Sequence, residues 1–461
     1  MVTMQPTDDS RSLFTLTDEK RELVDEARAR ELVEAALNGR DPASISKVRL
    51  SNKSYSVEAA EVLAAAIEKM TSVTEVDYSD IIAGRPKEVG LGVLAAVCGA
   101  VRDREGLKYV DVSENAMGPE GVDACRPALE GKAHLEALFM CNDGLSEVAM
   151  EAVRDILLKD TPTALQTLHF FNNMSADGGA RAVAKVLPHC PKLRDFRFSG
   201  TRSGREGSEA VVKALVECPA ASAGLLVRLD LADNTLAGEG GSALAEALAS
   251  QPGLTYVNLR DCNLEDDGAA AVAQALSGTA PSLRELDFSG NELTAVGAAA
   301  VASCVTGKRF LEYLGLEENE IGSAGAKEVA KALASAPVIR KVQLNTNEIG
   351  TSGALAIGRS LRGRKTLQCL ELNGNGLCAD GLTKLNRMLE SSGQLHVLGE
   401  MDENDEDFED DDEDEDGDED EEAEETEESD ARTTKAMPAR VNGKEDESID
   451  ELTAAIAAVS V

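Results

Sequence analysis

The chain has 461 residues, 43% of them hydrophobic but only 3% aromatic, and a formal net charge of −38. Residues 401–430 hold 23 Asp and Glu and no Lys or Arg, so the rest carries −15, and a general affinity for nucleic acid or anionic lipid is excluded on charge. Nine cysteines stand singly without a C-x-x-C pair, which fits a reduced protein with neither a disulfide framework nor a zinc site; no apolar run reaches the ~18 residues of a membrane span.

At the N-terminus, residues 17–38 space apolar and charged residues at helical period and stop at Gly39, so residues 1–40 are predicted to form a capping helix region. From 41 to 400 one pattern recurs, L-x-x-L-x-L-x-x-N-x-L. It is cleanest at Leu311, Leu314, Leu316, Asn319, Ile321 and at Leu367, Leu370, Leu372, Asn375, Leu377. Its asparagine-type place falls at 53, 81, 115, 143, 173, 201, 234, 262, 291, 319, 347 and 375, mostly 28 residues apart, which makes about twelve long leucine-rich repeats.

Two periods share each unit. In "LRELDFSGNEL" (283–293), Leu286 and Phe288 alternate with Glu285 and Asp287, so a short strand buries one side. Asn291 then turns the chain, its amide satisfying backbone groups that the bend leaves unpaired, and an alanine-rich helix follows. One unit cannot bury its own apolar face. The predicted fold is therefore an α/β leucine-rich-repeat solenoid, a horseshoe with an inner parallel β-sheet and outer helices, of the ribonuclease-inhibitor-like 28-residue kind. Asn115, Asp143, Asn173, Asn234, Asn291, Asn319, Asn347 and Asn375 are assigned to its structural ladder.

Departures from the repeat locate the candidate site. The step from Ile81 to Asn115 is six residues longer than 28, partly in the turn "SDIIAGRPKEVG", which carries Arg85 and Lys87. A five-residue excess before Asn234, around "PAASAG", reads as a neutral insertion. Asn142 stands one place before the ladder, where other repeats carry Glu114, Asn172, Gly200, Asp233, Asp261, Gly290 and Glu318. No packing rule demands asparagine there, so its side chain is expected to be free and to face outward. With parallel strands about 5 Å apart, Arg85, Asn142 and Asp233 share an edge of about 25 Å, a span suited to a globular partner.

A conventional active site does not assemble. His134, His169, His189 and His396 lie in different repeats without metal-ligand or Ser/His/Asp spacing, and the glycine-rich stretches lack G-x-x-x-x-G-K-[ST]. No metal or cofactor is expected. Residues 401–430 are predicted to be a disordered acidic tail. In the C-terminal segment 431–461, "SIDELTAAIAAV" (448–459) has Ser448 and Glu451 in capping-box spacing and reads as a fraying helical end or a partner-binding helix.

"AGRPK" (83–87), "VSENAMGPEGV" (112–122), "FMCNDGLS" (139–146), "FFNNMSADGGA" (170–180), "LDLADNTL" (229–236) and the acidic tail together resemble the Ran GTPase-activating proteins, particularly their plant and algal branch. The resemblance runs in order and in register over about residues 45 to 430. It implies a GTPase activator, not an enzyme in its own right, that docks on the switch regions of GTP-bound Ran, alone or with a Ran-binding protein, in nucleocytoplasmic transport. It also implies that Asn142 is the catalytic residue, ordering Ran's glutamine without an arginine finger, and that Arg85, Lys87 and Asp233 contact Ran. Ordering a glutamine needs a neutral group that both donates and accepts; arginine only donates. The chain has no tryptophan, hence no Trp-Pro-Pro targeting domain, and ends within about 60 residues of the repeats, so a monomer in the cytoplasm or around the nucleus is expected. Two other classes share features with it: a non-catalytic leucine-rich-repeat scaffold and an acidic-tailed histone chaperone, the latter expected to have fewer and shorter repeats.

Overall fold

Alternation sets the strands. In each repeat a three-residue strand sends its middle side chain into the core, from Val48 in repeat 1 through Leu138 in repeat 4 to Leu370 in repeat 12. Neighbouring strands pair in parallel one repeat apart, Val110 opposite Leu138 and Leu138 opposite Leu168. The computed structural model, which describes residues 12–18, 20–159 and 162–405, thereby holds a thirteen-stranded parallel sheet in strict chain order. Helices such as Glu147–Lys159 and Ala237–Leu248 return the chain and bury Ala149, Val153 or Leu244 against it. A helix is about 10 Å across and strands are ~4.8 Å apart, so stacked helices fan outward and the sheet takes the concave side. This is the α/β leucine-rich-repeat solenoid expected from the sequence.

Behind each strand the ladder residues form a buried row. The Nδ2 of Asn115 donates to the carbonyls of Tyr78, Val112 and Ser113 at 2.9, 2.7 and 3.1 Å, and its Oδ1 accepts from the Ile81 N–H at 3.0 Å. Asn291 repeats the arrangement with Leu259, Phe288 and Ser289. All eight predicted ladder residues are at most 5% exposed. Each ties its own turn to the repeat before it.

The residue one place earlier has a common backbone. At Asn52, Asp80, Glu114, Asn142, Asn172, Gly200, Asp233, Asp261, Gly290, Glu318, Thr346 and Gly374, φ lies between 52° and 65°. Glycine adopts this left-handed region freely and Asn or Asp at the least cost among the others. No core packing demands asparagine at 142, but the left-handed turn favours it.

Both ends extend further than the sequence pattern indicated. Instead of one helix over 17–38, Leu13–Thr15 is a strand paired with Lys47–Arg49, Leu23–Val24 pairs with Ser54–Tyr55, and the helix runs over Glu26–Leu37. The Asp25 carboxylate caps it by accepting from the Arg28 N–H at 2.9 Å. Upstream, Asp18 and Lys20 are drawn to Lys53, whose buried Nζ lies 2.9 Å from Asp18 Oδ1 and 3.0 Å from the Lys20 carbonyl. A partial thirteenth repeat therefore covers the start of the sheet. At the other end Asn404 occupies a further ladder place: its Oδ1 accepts from the Asn375 N–H at 3.0 Å, and its Nδ2 donates to the Met401 carbonyl at 3.1 Å. Residues 401–405 thus belong to the solenoid, whereas the rest of the acidic stretch and the segment 431–461 lie outside the described residues. The "PAASAG" excess forms an extra helical turn, Pro219–Ser222, that buries Ala220 and Ala221, so it fills the core.

Candidate functional site

The long turn of repeat 2 and the turn of repeat 3 enclose a cleft of about 620 Å³ at the strand-end rim, lined by Arg85, Lys87, Glu114, Asn115, Glu120 and Gly144 among others. The two basic residues of the turn play different parts. Arg85 is half-buried and turns toward repeat 1, its Nη2 donating to the Ser54 carbonyl at 2.8 Å, while the Ser54 hydroxyl donates to the Ala83 carbonyl. Its Nε is buried without a partner. Lys87 opens the following helix, Lys87–Gly99, and reaches Glu120 of repeat 3 at 2.8 Å, both side chains exposed. That hydrogen-bonded pairing raises the lysine pKa and lowers that of the glutamate.

Asn142 is exposed on the rim of repeat 4, where the sequence placed it. Its side chain is not free. Nδ2 donates to the Glu114 carboxylate of repeat 3, and Oδ1 accepts from Asn172 Nδ2 of repeat 5 at 2.8 Å. Its backbone N–H donates to the Phe171 carbonyl at 2.7 Å. Three left-handed residues of successive repeats thus form one chain, carboxylate to amide to amide. Glu114 and Asn172 had been aligned with Asn142 only as occupants of the same place. Strand spacing brings such residues side by side, a signal visible only when neighbouring repeats are laid together and not within any one of them.

Asp143 holds the ladder place behind Asn142 and is fully buried. Its Oδ1 accepts from the Asn115 N–H at 2.9 Å as an asparagine oxygen does at other rungs, but Oδ2 has no hydrogen-bond partner. Burial pushes its carboxyl well above the usual range, with Cys125, Asp111 and Glu114 adding to the rise. Asp233 is exposed in repeat 7, five strand spacings or about 24 Å from repeat 2. Arg85, Asn142 and Asp233 therefore share the rim, although the Arg85 guanidinium faces away from Asn142.

On the concave face below, sequence reasoning missed a cluster. The Tyr109 and Phe139 rings lie 5.1 Å apart, Phe139 and His169 4.8 Å, and the Arg197 guanidinium sits 3.7 Å over Phe171. His169 Nε2 is 2.8 Å from Asp195 Oδ1. Nearby, burial pushes the Asp111 carboxyl up to about 6. Val148, in the first turn of the helix Glu147–Lys159, and Met174, on the turn of repeat 5, are 62% and 55% exposed and add apolar surface to repeats 4 and 5. Among the described residues no group of three His, Cys, Asp or Glu is placed to hold a metal ion, and no helix is long and apolar enough to cross a membrane.

The "Leucine Rich repeat" family matches residues 107–124, 225–245, 252–273 and 279–302. The chain is 36% identical over 128 residues to RAN GTPase-activating protein 1 of Arabidopsis thaliana, covering 28% of this chain and 23% of that relative. To RAN GTPase-activating protein 2 of the same plant it is 43% identical over 56 residues, 12% of this chain and 10% of the other. The matches thus span less than a quarter of either plant relative. A ribonuclease inhibitor of Sus scrofa is 27% identical over 201 residues, 42% of each chain. The chain is similar to Ran GTPase-activating proteins and is built on leucine-rich repeats.

Proposed function

We propose that this chain stimulates GTP hydrolysis by Ran, docking the rim of repeats 2 to 7 on the switch regions and ordering Ran's catalytic glutamine through Asn142. The observation that carries the reading is the exposed, neutral amide of Asn142 at a rim where Arg85 is turned back onto a carbonyl. After its bonds to Glu114 and Asn172, Asn142 retains one amide proton and one oxygen lone pair, the complement of a glutamine side chain. An arginine finger can contribute roughly 10³ to 10⁵ in rate, but Arg85 would have to leave the Ser54 carbonyl to act as one. Arg85 shapes the docking turn, and Lys87 and Asp233 supply charged contacts at either end of the interface. The plant relatives named for Ran GTPase activation support the choice of partner.

On this reading the chain acts as a cytoplasmic monomer in nucleocytoplasmic transport, meeting Ran–GTP alone or with a Ran-binding protein, without a cofactor. Phosphate release from GTP-loaded Ran, followed with and without the purified chain, tests it. Acceleration is expected; binding without acceleration would favour the scaffold reading, which the likeness to a ribonuclease inhibitor supports. A fluorescent fusion reports the location.

A further inference from the structure

An amide that must order another amide has two faces, and only one orientation presents its donor and acceptor in the right places. The two ends of a carboxamide have nearly the same shape, so sterics do not choose between orientations. At Asn142 the neighbours do choose. A carboxylate only accepts hydrogen bonds, so the Glu114 side requires the nitrogen of Asn142. The oxygen is then left toward repeat 5, where Asn172 donates to it at 2.8 Å. Turning the amide over would set oxygen against carboxylate and NH₂ against NH₂.

The backbone makes this arrangement rigid. Glu114, Asn142 and Asn172 are all left-handed, at φ 64°, 55° and 52°. Their N–H groups donate to the carbonyls of Cys141, Phe171 and Ser199 at 2.8, 2.7 and 2.9 Å, so each is tied to the next repeat. Nothing in the packing of the core requires these side-chain bonds, because all three are exposed and other repeats fill the place with glycine or threonine.

We propose that Glu114 and Asn172 are positioning residues that fix the orientation of the Asn142 amide, so that it meets a partner's side-chain carboxamide in one sense only. The proposal rests on the role given to Asn142 above. It assigns Glu114 the stronger part, since a carboxylate enforces the orientation whereas an amide at 172 can itself turn over.

The test reverses the polarity without removing the bonds. In the double variant Glu114→Gln, Asn172→Asp, the new carboxylate at 172 accepts from Asn142 Nδ2 and the new amide at 114 donates to its Oδ1. The clamp is refilled, and Asn142 is turned over. Stability and the affinity for GTP-loaded Ran should stay near wild type while the single-turnover rate at saturating chain falls at least about 10-fold, the effect of losing one aligned hydrogen bond. Glu114→Gln alone should cost only a few-fold, because both orientations become populated. The side-chain ¹⁵N resonances of Asn142, assigned by their loss in Asn142→Gly, should shift in the double variant whether or not Ran is present. A double variant with wild-type rate and unshifted resonances would overturn the clamp. If Asn142→Gly itself leaves the rate unchanged, the proposed role of Asn142 fails, while the resonance shift still decides the orientation.

Discussion

Replacing Asp143 by asparagine should stabilise the protein, and by more as the pH rises. At the neighbouring rung the Nδ2 of Asn115 has three carbonyls within 2.7–3.1 Å, whereas Asp143 has a partnerless oxygen in the equivalent place. Two amide protons can satisfy two such acceptors well, and at about 1 kcal/mol net for each bond the substitution gains about 2 kcal/mol over an ionised carboxylate. A protonated Asp143 would recover part of this by donating through Oδ2. The sign follows from its raised pKa: the folded chain keeps a proton that the unfolded chain releases above about pH 4. The stability contributed by Asp143 is therefore fully present below about pH 4 and lost as the pH rises through the folded pKa, at up to about 1.4 kcal/mol per pH unit. Asparagine has no proton to lose, and the charge of Asp111, whose own carboxyl burial pushes up to about 6, only adds to the rise at Asp143 that the substitution removes. Urea unfolding of wild type and Asp143→Asn at about pH 5, 7 and 9 measures that difference. A variant less stable than wild type at about pH 8, or a gap that does not change with pH, would refute the reasoning.

Asn142→Gly should abolish Ran stimulation and leave the unfolding midpoint within error, because glycine accepts the left-handed backbone; Asn142→Ala should lose activity equally and also cost about 1–2 kcal/mol of strain, visible in the same unfolding assay. Arg85→Ala removes the bond to the Ser54 carbonyl and should weaken Ran binding several-fold in a titration, with the saturating rate nearly kept; loss of that rate would make Arg85 a finger after all. Asn404→Ala should speed hydrogen exchange in the last repeat, residues 369–405, leaving repeat 4 unchanged. Met174→Asp should alter stability by less than about 0.5 kcal/mol yet weaken Ran binding, and unchanged affinity would exclude the repeat 5 turn from the interface.

The solenoid was legible because its two periods are written into every repeat: Leu286 and Phe288 read as strand, Asn291 as turn, and the spacing located twelve of the thirteen strands that the large sheet has among the described residues. The strand Leu13–Thr15 and the rung at Asn404 escaped for the same reason. A terminal repeat has a neighbour on one side only, so Lys53 with Asp18, or Met401 with Asn404, can replace the consensus residues. Asn142 stood out in the sequence, but its engagement did not, since a hydrogen bond between residues 28 or 30 places apart leaves no trace in either repeat alone. Arg85 illustrates the opposite case. Its charge was obvious, and only the structure revealed that the half-buried guanidinium is held by a carbonyl.

The left-handed place ahead of each rung has a consequence for how such a protein can change over time. Asparagine, aspartate, glutamate, threonine and glycine all occupy it, with their side chains outside the core, while the buried row behind carries the fold. The rim can therefore be rewritten one residue at a time at a cost of no more than about 1–2 kcal/mol. Partner choice is free to drift there without the chain passing through an unfolded ancestor.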